Sequence, residues 1–176
     1  MSIKTVGVVG AGQMGNGIAH VFALAGYEVR LHDVNAAQID AAIEKISKNM
    51  DRQVGKGQIE AAEKAAAIAR ITAAPDVADC GATDLVIEAA TENEAVKHKI
   101  FASLAPHLLP HTILTSNTSS ISITRLASAT DRPERFMGFH FMNPVPLMQL
   151  VELIRGIATD KETYDTLLAV VDTLGK

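Results

Sequence analysis

The chain has 176 residues, enough for one domain that buries roughly 70% of the surface its unfolded form exposes. Hydrophobic residues make up 48% and charged residues 20%, which excludes a disordered polyelectrolyte. A formal charge of −4 with no basic block excludes a general nucleic-acid binder, which needs clustered Lys and Arg against phosphate. The single Cys80 excludes an internal disulfide and a multi-cysteine metal site, and it reads as a small apolar residue between short elements. No apolar run approaches the roughly 18–20 residues of a membrane span, so no membrane contact and no metal are expected.

The first element, "IKTVGVVG" (3–10), reads as a buried strand that begins almost at once. That start leaves no room for a signal or transit peptide, and a cytoplasmic location is the expectation. A helix follows over 13–26, then a second strand, "YEVRLHD" (27–33). Residues 36–54 carry Ile39, Ile43, Ile46, Met50 and Val54 at helical spacing, and "GKGQ" (55–58) ends that helix. "IEAAEKAAAIAR" reads as another helix, and "RITAA" (70–74) as a third strand stopped by Pro75. "DLVIEA" (84–89) is a fourth strand, followed by a helix over about 93–105, and "TILTSN" (112–117) is a fifth. "RFMGFHF" and "LMQLVELI" read as two further strands separated by "NPVP", and the tail from about 160 to 174 as a helix with Gly175 as its C-cap. Alternating strands and helices predict the α/β class: a doubly wound, mostly parallel sheet with helices on both faces.

Between the first strand and helix lies G-A-G-Q-M-G, with Gly10, Gly12 and Gly15. The spacing suits a pyrophosphate: Gly10 for the tight turn, Gly12 for close approach of backbone to ligand, Gly15 for helix–strand packing. Gln13 and Met14 complete this predicted cofactor-binding turn at a helix N-terminus. Asp33 closes the second strand, 18 residues after Gly15, where a carboxylate accepts from ribose hydroxyls and repels a 2′-phosphate. That combination favours NAD over NADP. His32 beside it reads as surface filler. Strand five ends in "SNTSSISI", hydroxyl and amide groups that either cap the next helix or bind a ligand. Lys45, Lys48 and Arg52 share a helix face, Lys56 joins them if the helix runs on, and the four fall within an arc of about 80° at 100° per residue. They form either a solvated helix face or a docking strip for an anionic substrate handle. If the chain reverses symmetrically about Pro146, His140 and Glu152 come opposite each other. Glu152 shares its side with Leu150 and Ile154, and a carboxylate on an apolar face wants a partner. On these grounds a structural and a catalytic His–Glu pair stand equally.

"GAGQMGNGIAHVFALAGYEVRLHD", "IEAATENEAVKHKIF", "SNTSSISIT" and "GFHFMNPVPLMQLVELI" together resemble the L-3-hydroxyacyl-CoA dehydrogenases, and among them the bacterial 3-hydroxybutyryl-CoA enzymes. The resemblance covers essentially the whole chain. It implies His140 as catalytic acid/base, Glu152 as its orienter, and Ser119 in contact with substrate and nicotinamide. It further implies Glu92, Lys97, Asn117 and Asn143 along the cofactor site, and a coenzyme A-binding role for the helix of Lys45, Lys48 and Arg52. Residues 1–176 would then be an NAD-binding domain of Rossmann type acting on an acyl-CoA substrate. By the same resemblance, the family's helical C-terminal domain, which carries dimerisation and closes over substrate, is expected to lie outside residues 1–176. Two alternatives remain: an NAD(H)-binding module without turnover, and a related dehydrogenase of a free hydroxy acid or sugar acid.

Overall fold

A computed structural model describes residues 2–176. Seven strands form one sheet: β1 (Thr5–Val9), β2 (Glu28–His32), β3 (Ile71–Ala73), β4 (Leu85–Glu88), β5 (Ile113–Ser116), β6 (Phe136–Phe141) and β7 (Val151–Arg155). Their order is β3-β2-β1-β4-β5-β6-β7, all parallel except β7, which runs antiparallel to β6. The chain therefore leaves β1 in one direction through β2 and β3 and returns to the other side at β4. The predicted doubly wound sheet is the observed one.

The period-two alternation of each strand feeds two cores. Val6 and Val8, Leu85 and Ile87, and Met137, Phe139 and Phe141 face α1 (Gln13–Leu24), α2 (Ala36–Gly55), α3 (Ala61–Ala69) and α7 (Lys161–Thr173). Val9, Val86, Leu114 and Phe136 face α4 (Val77–Gly81), α5 (Glu94–Leu104) and α6 (Ile123–Ser128). In the first core the Phe22 ring lies 6.2–6.3 Å from the rings of Phe139 and Phe141, in edge-on contact. None of the helices is long and apolar enough to cross a membrane, among the described residues.

Several local expectations need correction. α4 was not legible, since five residues are too few for helical periodicity; Asp76 caps it by accepting from Ala78 N. Cys80 lies inside it, fully buried, and desolvation pushes its thiol up to about 12. His32 is buried, with Nδ1 2.8 Å from the Ala74 carbonyl, so it staples β2 to the end of β3 instead of lying on the surface. The last strand is shorter than 147–154: Leu147 to Leu150 lie outside it, and Leu147 and Leu150 are exposed.

Asp84, just before β4, holds the start of β1. Its Oδ2 accepts from the backbone of Lys4 and Thr5 and from the Thr5 hydroxyl, each at 2.9 Å. Partial burial raises its pKa, but the hydrogen bonds from Lys4, His111 and Thr5 outweigh this and hold it at about 2, against an ordinary 3.8. A carboxyl depressed on folding contributes stability above its unfolded pKa and loses it as pH falls through the folded one. Asp84→Asn should therefore flatten the fall in melting temperature between about pH 4 and pH 2. A variant with the same acid profile as the unaltered protein would refute this role.

Candidate cofactor and acid/base site

The carboxyl ends of β2, β1, β4, β5 and β6 stand in a row, and the chemistry-bearing residues follow them in that order. At β1 the glycine turn is built by contact. Gly10 has φ +107°, and a Cβ there would meet Ala89 O at 2.7 Å. A Cβ on Gly15 would lie 1.7 Å from the Gly10 carbonyl, so α1 can approach β1 only without one. A Cβ on Gly12, by contrast, would meet nothing within 4 Å. The turn is closed on its protein side and open on its outer side. No side chain caps α1, and no acid stands in its first turn, so its first N–H groups and positive dipole end remain available to an anion. Gln13 Nε2 donates to Asn143 Oδ1 at 3.2 Å, joining the turn to the β6–β7 connection, while Met14 packs partly buried against the first core.

Asp33, one residue past β2, accepts from Ala11 N through Oδ2 and from Asn35 N through Oδ1, both at 2.9 Å. A carboxylate offers about four lone-pair sites, so acceptor capacity remains for a diol. Beside it lies a cavity of about 380 Å³ lined by Gly10, Asp33, Val34, Thr91, Lys99 and Ile100. An apolar slot with one acid at its mouth suits an adenosine. Open glycine edge, free helix terminus and acid-flanked slot together fit a dinucleotide.

The polar run after β5 separates into distinct jobs. Ser122 caps α6, accepting from Arg125 N. Thr118 Oγ1 donates to Glu92 Oε2 at 2.8 Å and accepts from Ile121 N. Asn117 is buried, and its Oδ1 accepts from Phe141 N at 2.8 Å, tying the end of β5 to the residue after His140. Ser119 is exposed and makes no hydrogen bond among the described residues. Capping and ligand-facing capacity thus coexist on different residues. Lys97 does not line the groove's surface. It is 1% exposed, with Nζ donating to Glu88 Oε2 at 2.5 Å and to Ser116 Oγ at 3.1 Å.

His140 and Glu152 are direct partners across β6 and β7, and Glu152 Oε2 accepts from His140 Nδ1 at 2.7 Å. The assumed reversal about Pro146 is therefore the observed register. The surroundings differ from the expectation: the Glu152 side chain is 51% exposed and that of His140 18%. Leu150 lies outside the strand and is exposed, so the carboxylate sits at the sheet's solvent edge and not on an apolar face. Nε2 of His140 has no protein partner among the described residues.

The basic stripe divides. Arg52 and Lys56 line a groove of about 310 Å³ with His20, Gln53, Pro144 and Leu147. Lys48 instead pairs with Glu44 on the exposed face of α2, and Lys45 is exposed beside it, away from the groove lining. His20 escaped the sequence reading because a lone histidine in an amphipathic helix carries no signal. It is 1% exposed, with Nε2 2.9 Å from Gln53 Oε1 and Nδ1 buried without a partner among the described residues. Burial lowers its pKa, Gln53 raises it less, and Lys176 lowers it further. A histidine depressed on folding must take up its proton at a cost, so stability falls as pH drops below its unfolded value of 6.5. His20→Gln should lose less melting temperature between pH 7 and pH 5 than the unaltered protein. An unchanged slope would contradict that.

Comparison with known proteins matches residues 5–176 to the family described as 3-hydroxyacyl-CoA dehydrogenase, NAD binding domain. The chain is 58% identical over 174 residues to the 3-hydroxybutyryl-CoA dehydrogenase of Bradyrhizobium diazoefficiens, covering 99% of this chain and 59% of that protein. It is 46% identical to the probable 3-hydroxybutyryl-CoA dehydrogenase of Bacillus subtilis, covering 100% and 61%. Among solved structures it superposes on (S)-3-hydroxybutyryl-CoA dehydrogenase PaaH1 from Ralstonia eutropha with TM-score 0.96 at 47% identity, covering 99% and 62%. The chain thus spans about three fifths of the length of these relatives.

Proposed function

The chain belongs to the 3-hydroxyacyl-CoA dehydrogenase family through its NAD-binding domain, and from that premise we propose that it carries the cofactor site and acid/base pair of an enzyme interconverting (3S)-hydroxyacyl-CoA, 3-hydroxybutyryl-CoA in particular, and 3-ketoacyl-CoA. The observation that supports this most is the 2.7 Å contact between His140 Nδ1 and Glu152 Oε2. A carboxylate on Nδ1 holds the imidazole in one tautomer and leaves Nε2 as the proton acceptor.

NAD, when bound, supplies the hydride acceptor. His140 Nε2 takes the hydroxyl proton of the substrate, and Glu152 stabilises the imidazolium that results. The Ser119 hydroxyl donates to the reacting oxygen. Gly10, Gly12 and Gly15 with the free end of α1 hold the pyrophosphate, and Asp33 the adenosine ribose. Arg52 and Lys56, on the groove beside the 144–147 connection, receive the anionic handle of a coenzyme A ester; Lys45 adds positive charge on the same helix, while Lys48 is largely neutralised by Glu44.

A second reading rests on the three-fifths coverage: the chain holds NAD(H) without turning substrate over, because a closing domain is needed. Following NADH absorbance with acetoacetyl-CoA, beside an independent titration of NADH, separates the two. Turnover supports the enzyme, and binding alone supports the module. Turnover of free acetoacetate in preference to its coenzyme A ester would overturn the substrate assignment.

A further inference from the structure

Glu88 ends β4, is fully buried, and is absent from every role assigned above. Its carboxylate divides its bonds between two sides. Oε1 accepts from Ala90 N at 2.8 Å, and Ala89 and Ala90 are the backbone against which Gly10 closes. Oε2 accepts from Lys97 Nζ at 2.5 Å and from Ser116 Oγ at 2.7 Å, and Ser116 Oγ in turn accepts from Lys97. The backbone carbonyl of Glu88 accepts from Asn117 N at 2.8 Å, and Asn117 Oδ1 accepts from Phe141 N, next to His140. The Glu88 carboxylate therefore links the backbone behind the glycine turn to α5 and to the end of β5, while the Glu88 backbone carbonyl reaches Asn117 and, through it, the strand of His140.

Position in the sheet says which part of the cleft this governs. Asp33 and its slot mark the adenosine end at β2, the glycine turn marks the pyrophosphate at β1, and His140 stands at β6. Ser116 and the exposed Ser119 after it fall between β1 and β6, where the nicotinamide half must lie to meet His140. We infer that Glu88 is a positioning residue for the nicotinamide end of the cofactor cleft, acting through Lys97 and Ser116 without touching the cofactor. The inference rests on the NAD-binding reading. Its physical reason is that a fully desolvated carboxylate and ammonium hold each other in one geometry, since neither has water as an alternative partner. The hydroxyl of Ser116, shared by both, inherits that geometry and passes it to the 117–119 loop.

Glu88→Gln tests this selectively. Its amide oxygen can keep the bond from Ala90 N, while its NH2 group faces the Lys97 ammonium and cannot accept from it. The adenosine side then stays supported and the nicotinamide side does not. Titrations of NADH and of ADP, with a melting curve for each protein, read the two ends separately. The expected result is an ADP dissociation constant within twofold of the unaltered protein and an NADH constant about tenfold weaker. NADH binding within twofold of the unaltered protein would overturn the inference, as would equal weakening of NADH and ADP, which marks general loosening. Should Glu88→Gln fail to fold, Ser116→Ala decides: it leaves the ion pair intact, and unchanged NADH affinity there overturns the inference. An unaltered chain that binds neither NADH nor ADP would instead bring down the cofactor reading itself.

Discussion

His140→Ala is expected to lower turnover of acetoacetyl-CoA by about 10²- to 10⁴-fold, the usual contribution of a positioned acid/base group, with NADH affinity unchanged. That loss corresponds to about 3–5 kcal/mol of transition-state stabilisation. The split follows from position. His140 stands on β6, four strands from the Asp33 slot, and its only protein partner among the described residues is Glu152. Removing it therefore takes away the proposed proton acceptor without disturbing the glycine turn proposed to hold the dinucleotide. Glu152→Gln should cost less than His140→Ala, because the carboxylate is half exposed and water can partly replace it. The measurement is kcat and KM on the full-length polypeptide, beside an NADH titration. Wild-type-like kcat in His140→Ala would end the acid/base assignment.

The second large effect is expected at Gly15. A Cβ there would sit 1.7 Å from the Gly10 carbonyl, far inside any tolerable contact, and the obstacle is backbone and cannot rotate away. α1 must then move off β1, which opens the contact between the turn and the helix end proposed to receive phosphate. Gly15→Ala should destabilise by about 3 kcal/mol, the upper part of the range for an overpacked site. For a chain of this size that lowers the melting temperature by about 6–12 °C. NADH and ADP should both weaken, since the pyrophosphate cradle is common to them. Gly12→Ala is the control: its Cβ meets no protein atom, so melting should hardly change while dinucleotide binding still falls. Loss of stability in Gly12→Ala with retained binding would contradict this division of labour.

The two variants show why some of the site was readable in one dimension. The glycine turn is local: three glycines within six residues, between a strand and a helix, state a backbone geometry that needs no distant partner. The same holds for Asp33, whose place at the strand end comes from counting along one βαβ unit. The His140–Glu152 register was nearly as local, because an antiparallel turn of known centre sets which residues face each other. What that reading missed was exposure. Whether Glu152 faces a core depends on what covers β7, and β7 is the last strand of the sheet.

Lys97 and His32 show the other side. In sequence His32 reads as surface filler and Lys97 as a residue along the cofactor site, yet each is buried because its partner comes from elsewhere: Glu88 and Ser116 for Lys97, the Ala74 carbonyl for His32. The hydroxyls of 116–122 could not be divided among capping, networking and exposure for the same reason. Their jobs depend on Glu88 at the end of β4, Glu92 in the loop after it and Lys97 on α5, all distant in sequence. The basic stripe was legible as one face of a helix, but only the groove against Pro144 and Leu147 separates Arg52 from Lys45 and Lys48.

The amino-acid sequence by itself determined the alternation of strands and helices, the glycine turn, the acid that follows it and the pairing of His140 with Glu152. These depend on periodicity and on spacing within single supersecondary units, which the backbone's few allowed conformations make legible. Only the tertiary structure decided that Glu88, Lys97 and Ser116 form one buried network and that the His140–Glu152 pair lies at a solvent edge. Burial and charge pairing are properties of segments brought together across the sheet, and desolvation sets their strength only once those segments have met.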